Sequence, residues 1–177
     1  MPDGILIFGA NGCGKTTLGA QLADILGYQH LDIERYAFFE SDIPYQMPRP
    51  QKDMIRLLLQ DISRYGPFVL SAVKGNFGME IVSMYRYAVF LHAPLPIRLE
   101  RIEKREYKKY GNRIDPGGDL FEQHQKFKNF VASRSLEEIQ LWSKKLPCPV
   151  LSVDTTRPIK ENALWIASQY QHILTVK

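Results

Sequence analysis

Gly9-Ala10-Asn11-Gly12-Cys13-Gly14-Lys15-Thr16 decides how this chain reads. The stretch fits Gly-x4-Gly-Lys-[Ser/Thr], the Walker A pattern, in which glycines let the backbone curl until several N–H groups point at one phosphate. Ile5-Leu6-Ile7-Phe8 just before it is an unbroken apolar run, as a parallel strand buried on both faces requires. Beyond it Leu18, Leu22, Ile25 and Leu26 recur at helical spacing as far as Gly27, a helix-ending residue. The motif therefore has the strand before it and the helix after it that phosphate binding at a helix N-terminus needs. Gly9, Asn11, Gly12, Cys13, Gly14, Lys15, Thr16 and Thr17 are the expected phosphate-holding residues, with Lys15 as a cation for the β- and γ-phosphates. Thr16 is positioned to place its hydroxyl on Mg²⁺, an ion that takes few protein ligands and keeps waters. For Cys13 two readings stand: a thiol made acidic by the helix N-terminus, or a filler side chain in the loop.

Outward from the loop, Tyr28 to Asp32 reads as a second strand, and Met54, Leu57, Leu58, Ile62 and Tyr65 mark an amphipathic helix closed by Gly66-Pro67. Phe68-Val69-Leu70 is a third strand and Tyr87-Ala88-Val89-Phe90-Leu91 a fourth. Leu95, Leu99 and Ile102 give the next helix its apolar stripe, bordered by Arg98, Arg101 and Arg105. Asn112 to Asp119 has turn composition; Phe127, Phe130 and Val131 resume a helix, and Ser135-Leu136-Glu137-Glu138 fits a capping box. Pro149 to Val153 supplies a fifth strand, and Ile159 to Leu174 a last helix. Strands alternating with helices predict an α/β fold, a parallel sheet with helices on both faces.

The 177 residues, 45% of them apolar, fit one domain spanning 1–177. Apolar runs fall short of the roughly 20 residues of a bilayer span, and Met1-Pro2-Asp3-Gly4 has no basic and apolar leader. A cytoplasmic protein that does not enter membranes is the expectation. Cys13 and Cys148 have no Cys-x-x-Cys or His-rich surroundings, which argues against a zinc site and a disulfide framework. A net charge of +4 is mild; the basic residues concentrate between Arg98 and Arg113 with no nucleic-acid-binding motif around them, which argues against nucleic acid.

Chemistry is expected where strands end, since carboxyl ends of parallel strands face the ligand crevice. Asp32 follows strand two and is a candidate to orient an acceptor hydroxyl, take its proton or join Thr16 in the metal shell. It is also placed to cap a short helix over 33–39. Glu34 is either a second carboxylate of the site or a solvated one. Strand three ends in Leu70-Ser71-Ala72, where many phosphate-loop proteins carry an acid; Ser71 can bond a metal-bound water instead, and Lys74 can reach a phosphate. Arg49 and Arg56 are placed to bind an anionic acceptor or to be solvated. Arg101 and Arg105 are the candidate transition-state cations, delivered by a closing Gly-rich segment. Arg157, after strand five, is placed to stack on a base through its planar guanidinium.

The loop, Leu31-Asp32-Ile33-Glu34 and Ile97-Arg98-Leu99-Glu100-Arg101-Ile102 together resemble the adenylate-kinase-like group of phosphate-loop kinases, to which shikimate and gluconate kinases belong. Ser71-Ala72-Val73-Lys74 looks more like gluconate kinases than nucleoside monophosphate kinases. Arg105-Glu106-Tyr107, Tyr110-Gly111-Asn112-Arg113-Ile114, Pro116-Gly117-Gly118-Asp119 and Cys148-Pro149-Val150-Leu151 resemble small bacterial proteins labelled AAA-family ATPases or adenylate-kinase-like proteins. The resemblance covers nearly the whole chain. It implies the P-loop NTPase fold, five strands in the order 2-3-1-4-5, an acceptor-binding region about 33–65 and a lid about 106–119. The function so implied is transfer of the γ-phosphoryl group of ATP, with Mg²⁺, to a small metabolite or nucleotide; the alternative is a nucleotide-binding regulatory protein or slow ATPase without such an acceptor.

Overall fold

A computed structural model of the chain describes residues 2–41 and 46–175. Five strands, β1 (Gly4–Gly9), β2 (Gln29–Asp32), β3 (Phe68–Ala72), β4 (Tyr85–His92) and β5 (Val150–Asp154), pair in parallel in the order β2-β3-β1-β4-β5. The resemblance implied this order. β1 and β3 are buried at every residue, so their apolar runs need no polar alternation. The edge strand β5 buries only Val153 fully.

The helices are α1 (Lys15–Leu26), α2 (Ile33–Ala37), α3 (Gln51–Tyr65), α4 (Met79–Val82), α5 (Leu95–Tyr110), α6 (Phe121–Ser133), α7 (Leu136–Ser143) and α8 (Ile159–Thr175). The short α4 carries no pattern that periodicity detects, and the sequence reading passed over it. From β1 the chain steps outward to β2, then reverses across the sheet to β3, β4 and β5. Right-handed crossovers therefore put the helices between β2 and β5 on the face opposite α1, and α8 returns to pack beside α1. Ser135 accepts a bond from the Glu138 amide, as the capping box anticipates.

Register carries the strand ends to one edge. Asp32 lies beside Ser71, Phe8 lies between Ala72 and Phe90, and His92 lies beside Asp154. The residues singled out by sequence at these ends are thus neighbours in space.

Candidate active site

The phosphate loop turns between β1 and α1 through a backbone that L side chains resist. Gly12 has φ +82°, and a Cβ there would lie 2.5 Å from the Arg98 carbonyl oxygen, so conformation and contact both demand glycine. Arg98 lies under the loop: it is 3% exposed, its Nη1 donates to the Asn11 carbonyl at 3.4 Å, and its Nε is buried with no partner among the described residues. This corrects the expectation that Arg98 shares an outward stripe with Arg101 and Arg105. Cys13 is buried, and burial pushes its thiol above the ordinary range, so the filler reading is the one its surroundings support.

Lys15 Nζ donates to the Ala10 carbonyl at 3.0 Å, curled onto its own loop. Burial holds its ammonium below the ordinary lysine range; Cys13, Glu34 and Asp32 pull it up, and Arg105 pushes it further down. A phosphate entering the loop would supply the counter-charge this cation lacks.

Thr16 Oγ1 donates to Asp32 Oδ2 at 2.8 Å, while Asp32 Oδ1 accepts the Glu34 amide at 3.1 Å and caps α2. The cap reading of Asp32 is met by Oδ1, while Oδ2 stands against the Thr16 hydroxyl of the loop. A hydroxyl and a carboxylate oxygen side by side form a hard donor pair that fits Mg²⁺, which completes its shell with phosphate oxygens and water. Among the described residues no three His, Cys, Asp or Glu side chains are grouped to hold a metal, so a cage built from protein alone is not available.

Ser71 is committed to the scaffold. Its hydroxyl donates to the Lys15 carbonyl at 3.0 Å, and with that proton used, His30 Nε2, also at 3.0 Å, is the donor to Ser71. Gly19 makes this possible, since a Cβ on α1 there would come within 2.4 Å of Ser71 Oγ. The position that carries an acid in many phosphate-loop proteins therefore ties β3, β2 and the start of α1 together.

A cavity of about 930 Å³ opens over the loop. Asn11, Gly12, Cys13, Gly14, Lys15, Thr16 and Thr17 form its floor, and Asp32, Glu34, Lys74, Arg101 and Arg105 reach its walls. Gly9 lies behind the floor, where a Cβ would meet the Leu91 carbonyl. Arg101 is fixed by bonds to Thr155 Oγ1 at 3.1 Å and to the Thr155 carbonyl at 2.6 Å. Arg105 pairs with the buried Glu106 carboxylate at 2.8 Å. Arg157 is exposed in the turn past β5 and lies outside the lining, where Ile159 stands instead. Arg49 reaches the Tyr36 carbonyl and lies over the Phe39 ring at 4.4 Å, and Arg56 is exposed; neither lines the cavity. Of the acceptor region about 33–65, residues 42–45 lie outside the described residues.

The segment about 106–119 is ordered. Its first five residues finish α5, a 3-10 turn follows at Gly111–Ile114, and Arg113 pairs with Asp119 at 2.7 Å. Ile114 and Leu120 are buried, so α5 and α6 join as a helical hairpin. Past that hairpin the structure brings in a residue the sequence reading missed. Arg134 Nη1 donates to Asn11 Oδ1 at 3.0 Å, and its guanidinium lies over the Phe130 ring at 5.2 Å.

A family model described as an AAA domain matches residues 5–126. The chain is 33% identical over 171 residues to YqaC, an uncharacterized protein of Bacillus subtilis (strain 168), with 91% of this chain and 93% of that one covered. Among solved structures it is similar to shikimate kinase from Bacteroides thetaiotaomicron, with TM-score 0.59, 16% identity and coverage of 97% and 99% of the two chains. It is also similar to a gluconokinase from Sinorhizobium meliloti 1021, with TM-score 0.54, 16% identity and coverage of 99% and 97%. A third is shikimate kinase from Acinetobacter baumannii in complex with shikimate, with TM-score 0.53, 21% identity and coverage of 100% and 96%. At these identities the likeness is one of fold, the P-loop fold of nucleotide-binding kinases. No helix among the described residues is long and apolar enough to cross a membrane.

Proposed function

The chain belongs to the AAA domain family, and on that premise we propose that it transfers the γ-phosphoryl group of ATP, with Mg²⁺, to a small-molecule acceptor. The observation that carries this reading is the 2.8 Å bond between Thr16 and Asp32, which joins the phosphate loop to the end of β2 inside one cavity. Beyond the Asp32 that would join Thr16 on Mg²⁺, a second carboxylate, Glu34, lines the same cavity, which a loop that only gripped a nucleotide would not need.

Each residue then has a task. Amides of the loop from Asn11 to Gly14 cradle the phosphates, and Lys15 leaves the Ala10 carbonyl for the β- and γ-phosphate oxygens. Thr16 and Asp32 would hold Mg²⁺, which supplies positive charge against the phosphate oxygens when bound. With Asp32 given to Mg²⁺, the second carboxylate of the cavity, Glu34, is the proton acceptor. It lines the cavity, and its pull on Lys15 exceeds that of Asp32. The acceptor oxygen bonds to the γ-phosphorus as the bond to the β,γ-bridging oxygen breaks; ADP leaves, and the hydroxyl proton passes to Glu34. Arg101 and Arg105 offset charge on the migrating group. Residues about 33–65 form the acceptor side, and the hairpin about 106–119 is the element that closes.

One observation favours a second reading, a nucleotide-binding regulator or slow ATPase: near the end of β3 stands Ser71, whose hydroxyl is occupied by the Lys15 carbonyl and His30. Release of ADP from ATP and Mg²⁺, measured with nucleosides, nucleotides, sugars and hydroxy acids as acceptors, separates the two. Release above the water background with one acceptor class, abolished in Lys15→Ala, supports the kinase. Intact ATP binding with release no faster than water attack for every class supports the regulator.

A further inference from the structure

The cavity is chemically lopsided. Phe38, Phe77, Phe127 and Phe130 line it together with Ile33 and Met54. They come from α2, the segment after β3, α6 and α3, so rings and aliphatic groups face the cavity from several elements. Hydroxyl groups of a polyol set against such walls would exchange water for hydrocarbon and lose hydrogen bonds. A flat unsaturated body would instead stack on them, as bases stack on aromatic side chains.

Charge points the same way. Lys15, Lys74, Arg101, Arg105 and Lys109 line the cavity against Asp32, Glu34 and Glu106, an excess of two positive charges among the described lining residues. A magnesium-bound triphosphate, with roughly two net negative charges, cancels that excess. The cations on the walls are moreover already engaged: Lys74 faces Glu138 at 3.8 Å, Arg101 is held by Thr155, Arg105 by Glu106, and Lys109 lies over the Tyr110 ring at 5.0 Å. Arg35 on α2 is exposed and does not line the cavity, Arg49 is turned onto the Tyr36 carbonyl and the Phe39 ring, Arg56 faces Asp53 at 3.9 Å, and Arg98 and Arg134 are held on Asn11. Among the described residues of the cavity walls, no cation is set apart for a carboxylate or phosphate on the acceptor.

We propose that the acceptor is an uncharged aromatic or heteroaromatic alcohol of nucleoside type, bound by its flat body between the phenylalanines with one hydroxyl toward Glu34 and Asp32. The proposal rests on the kinase reading for the presence of an acceptor site. It separates this chain from enzymes whose acceptors are anionic polyols or nucleoside monophosphates.

Binding decides it independently of turnover. With the nucleotide site filled by a non-hydrolysable ATP analogue and Mg²⁺, saturation-transfer NMR is recorded for uncharged nucleosides, their 5′-monophosphates, gluconate and shikimate. The expected result is that at least one nucleoside binds beside the analogue about tenfold or more tightly than its monophosphate, because an added phosphate enters without a counter-ion. Phe77→Leu, which keeps bulk and removes the ring, weakens that nucleoside about tenfold and leaves the analogue's affinity unchanged. Phe38→Leu serves if the first variant does not fold. Equal or tighter binding of a monophosphate, gluconate or shikimate overturns the proposal, as does the absence of any bound nucleoside, or a bound one indifferent to both variants. ADP release with ATP in parallel samples tests the kinase reading separately: a nucleoside that binds as described yet accepts no phosphoryl group refutes transfer and leaves the recognition chemistry standing.

Discussion

Arg134 Nη1 holds Asn11 Oδ1 at 3.0 Å across 123 positions of sequence, pinning the junction of α6 and α7 to the tip of the phosphate loop. The same asparagine accepts Arg98 Nη1 on its carbonyl. One loop residue thus carries a guanidinium from α5 and another from the end of α6.

The Arg134–Asn11 bond couples the substitutions Arg134→Ala and Asn11→Ala. A double-mutant cycle in urea should return an interaction of about 1 kcal/mol, the usual size for a hydrogen bond to a charged group that is partly exposed. Amide hydrogen exchange across the loop should quicken in both single variants. Additive effects within error would mean that the bond is not formed in water.

His30 gives a pH signature. Burial holds its imidazole below the ordinary 6.5, while the unfolded chain titrates near that value. Below pH 6.5 the unfolded state therefore binds more protons than the folded one, so stability falls as pH drops from about 6.5 toward the lowered folded value. His30→Gln keeps a donor for Ser71 and removes the titration. Unfolding free energy followed from pH 7.5 to 5 should fall less steeply in the variant; identical slopes would show that His30 takes up protons as easily in the folded protein.

The parts that were legible in the sequence are those whose physics is local. A strand, a glycine turn and a helix follow one another within Gly4 to Leu26, and their order fixes the phosphate site before any packing is known. Asp32 was legible for the same reason, since parallel pairing brings strand ends to one edge. Arg98 was not. Spacing along α5 groups it with Arg101 and Arg105, and only the packing of Gly12 on its backbone turns it beneath the loop. Arg134 follows the end of α6 with no motif around it, and Ser71 shows its partners only once α1, β2 and β3 are assembled.

The two carboxylates should separate in kinetics. Asp32→Asn keeps its one oxygen for the α2 cap and turns its amide toward Thr16, whose hydroxyl can accept, but removes the charge that suits Mg²⁺, so the Mg²⁺ concentration for half-maximal turnover should rise severalfold. Glu34→Gln should leave Mg²⁺ and ATP binding unchanged and lower turnover at saturation by about 10²-fold or more, the range for a lost general base. If Glu34→Gln is fully active and Asp32→Asn is dead at every Mg²⁺ concentration, the proton goes to Asp32.

Arg101 and Arg105 lie one turn apart on α5, and their surroundings divide their work. Arg101 is anchored twice on Thr155, just past β5, and a Cβ on Gly14 would stand 4.0 Å from its Nη1. It is fixed beside the loop before any substrate arrives, so on the proposed reading its charge already acts on bound phosphates before transfer as well as on the migrating group. Arg105 sits further along α5 toward the hairpin, is half exposed, and pairs with Glu106; its charge already lowers the affinity of Lys15 for its proton. A group so placed gains most when the hairpin closes over a phosphoryl group in flight, since contacts strengthened at the transition state act on rate. Arg101→Ala should therefore weaken ATP binding, seen by calorimetry, by about tenfold with a comparable loss of kcat/KM. Arg105→Ala should leave ATP affinity within about twofold and reduce single-turnover transfer by 10²-fold or more, toward the roughly 10³-fold cost of losing a developed arginine finger. Arg105→Lys should recover little, because an ammonium cannot hold Glu106 and a phosphoryl oxygen in the same planar fork. Equal losses of affinity in both variants, with transfer at saturation untouched, would make both arginines binding groups and place the charge that stabilises transfer on Lys15 alone.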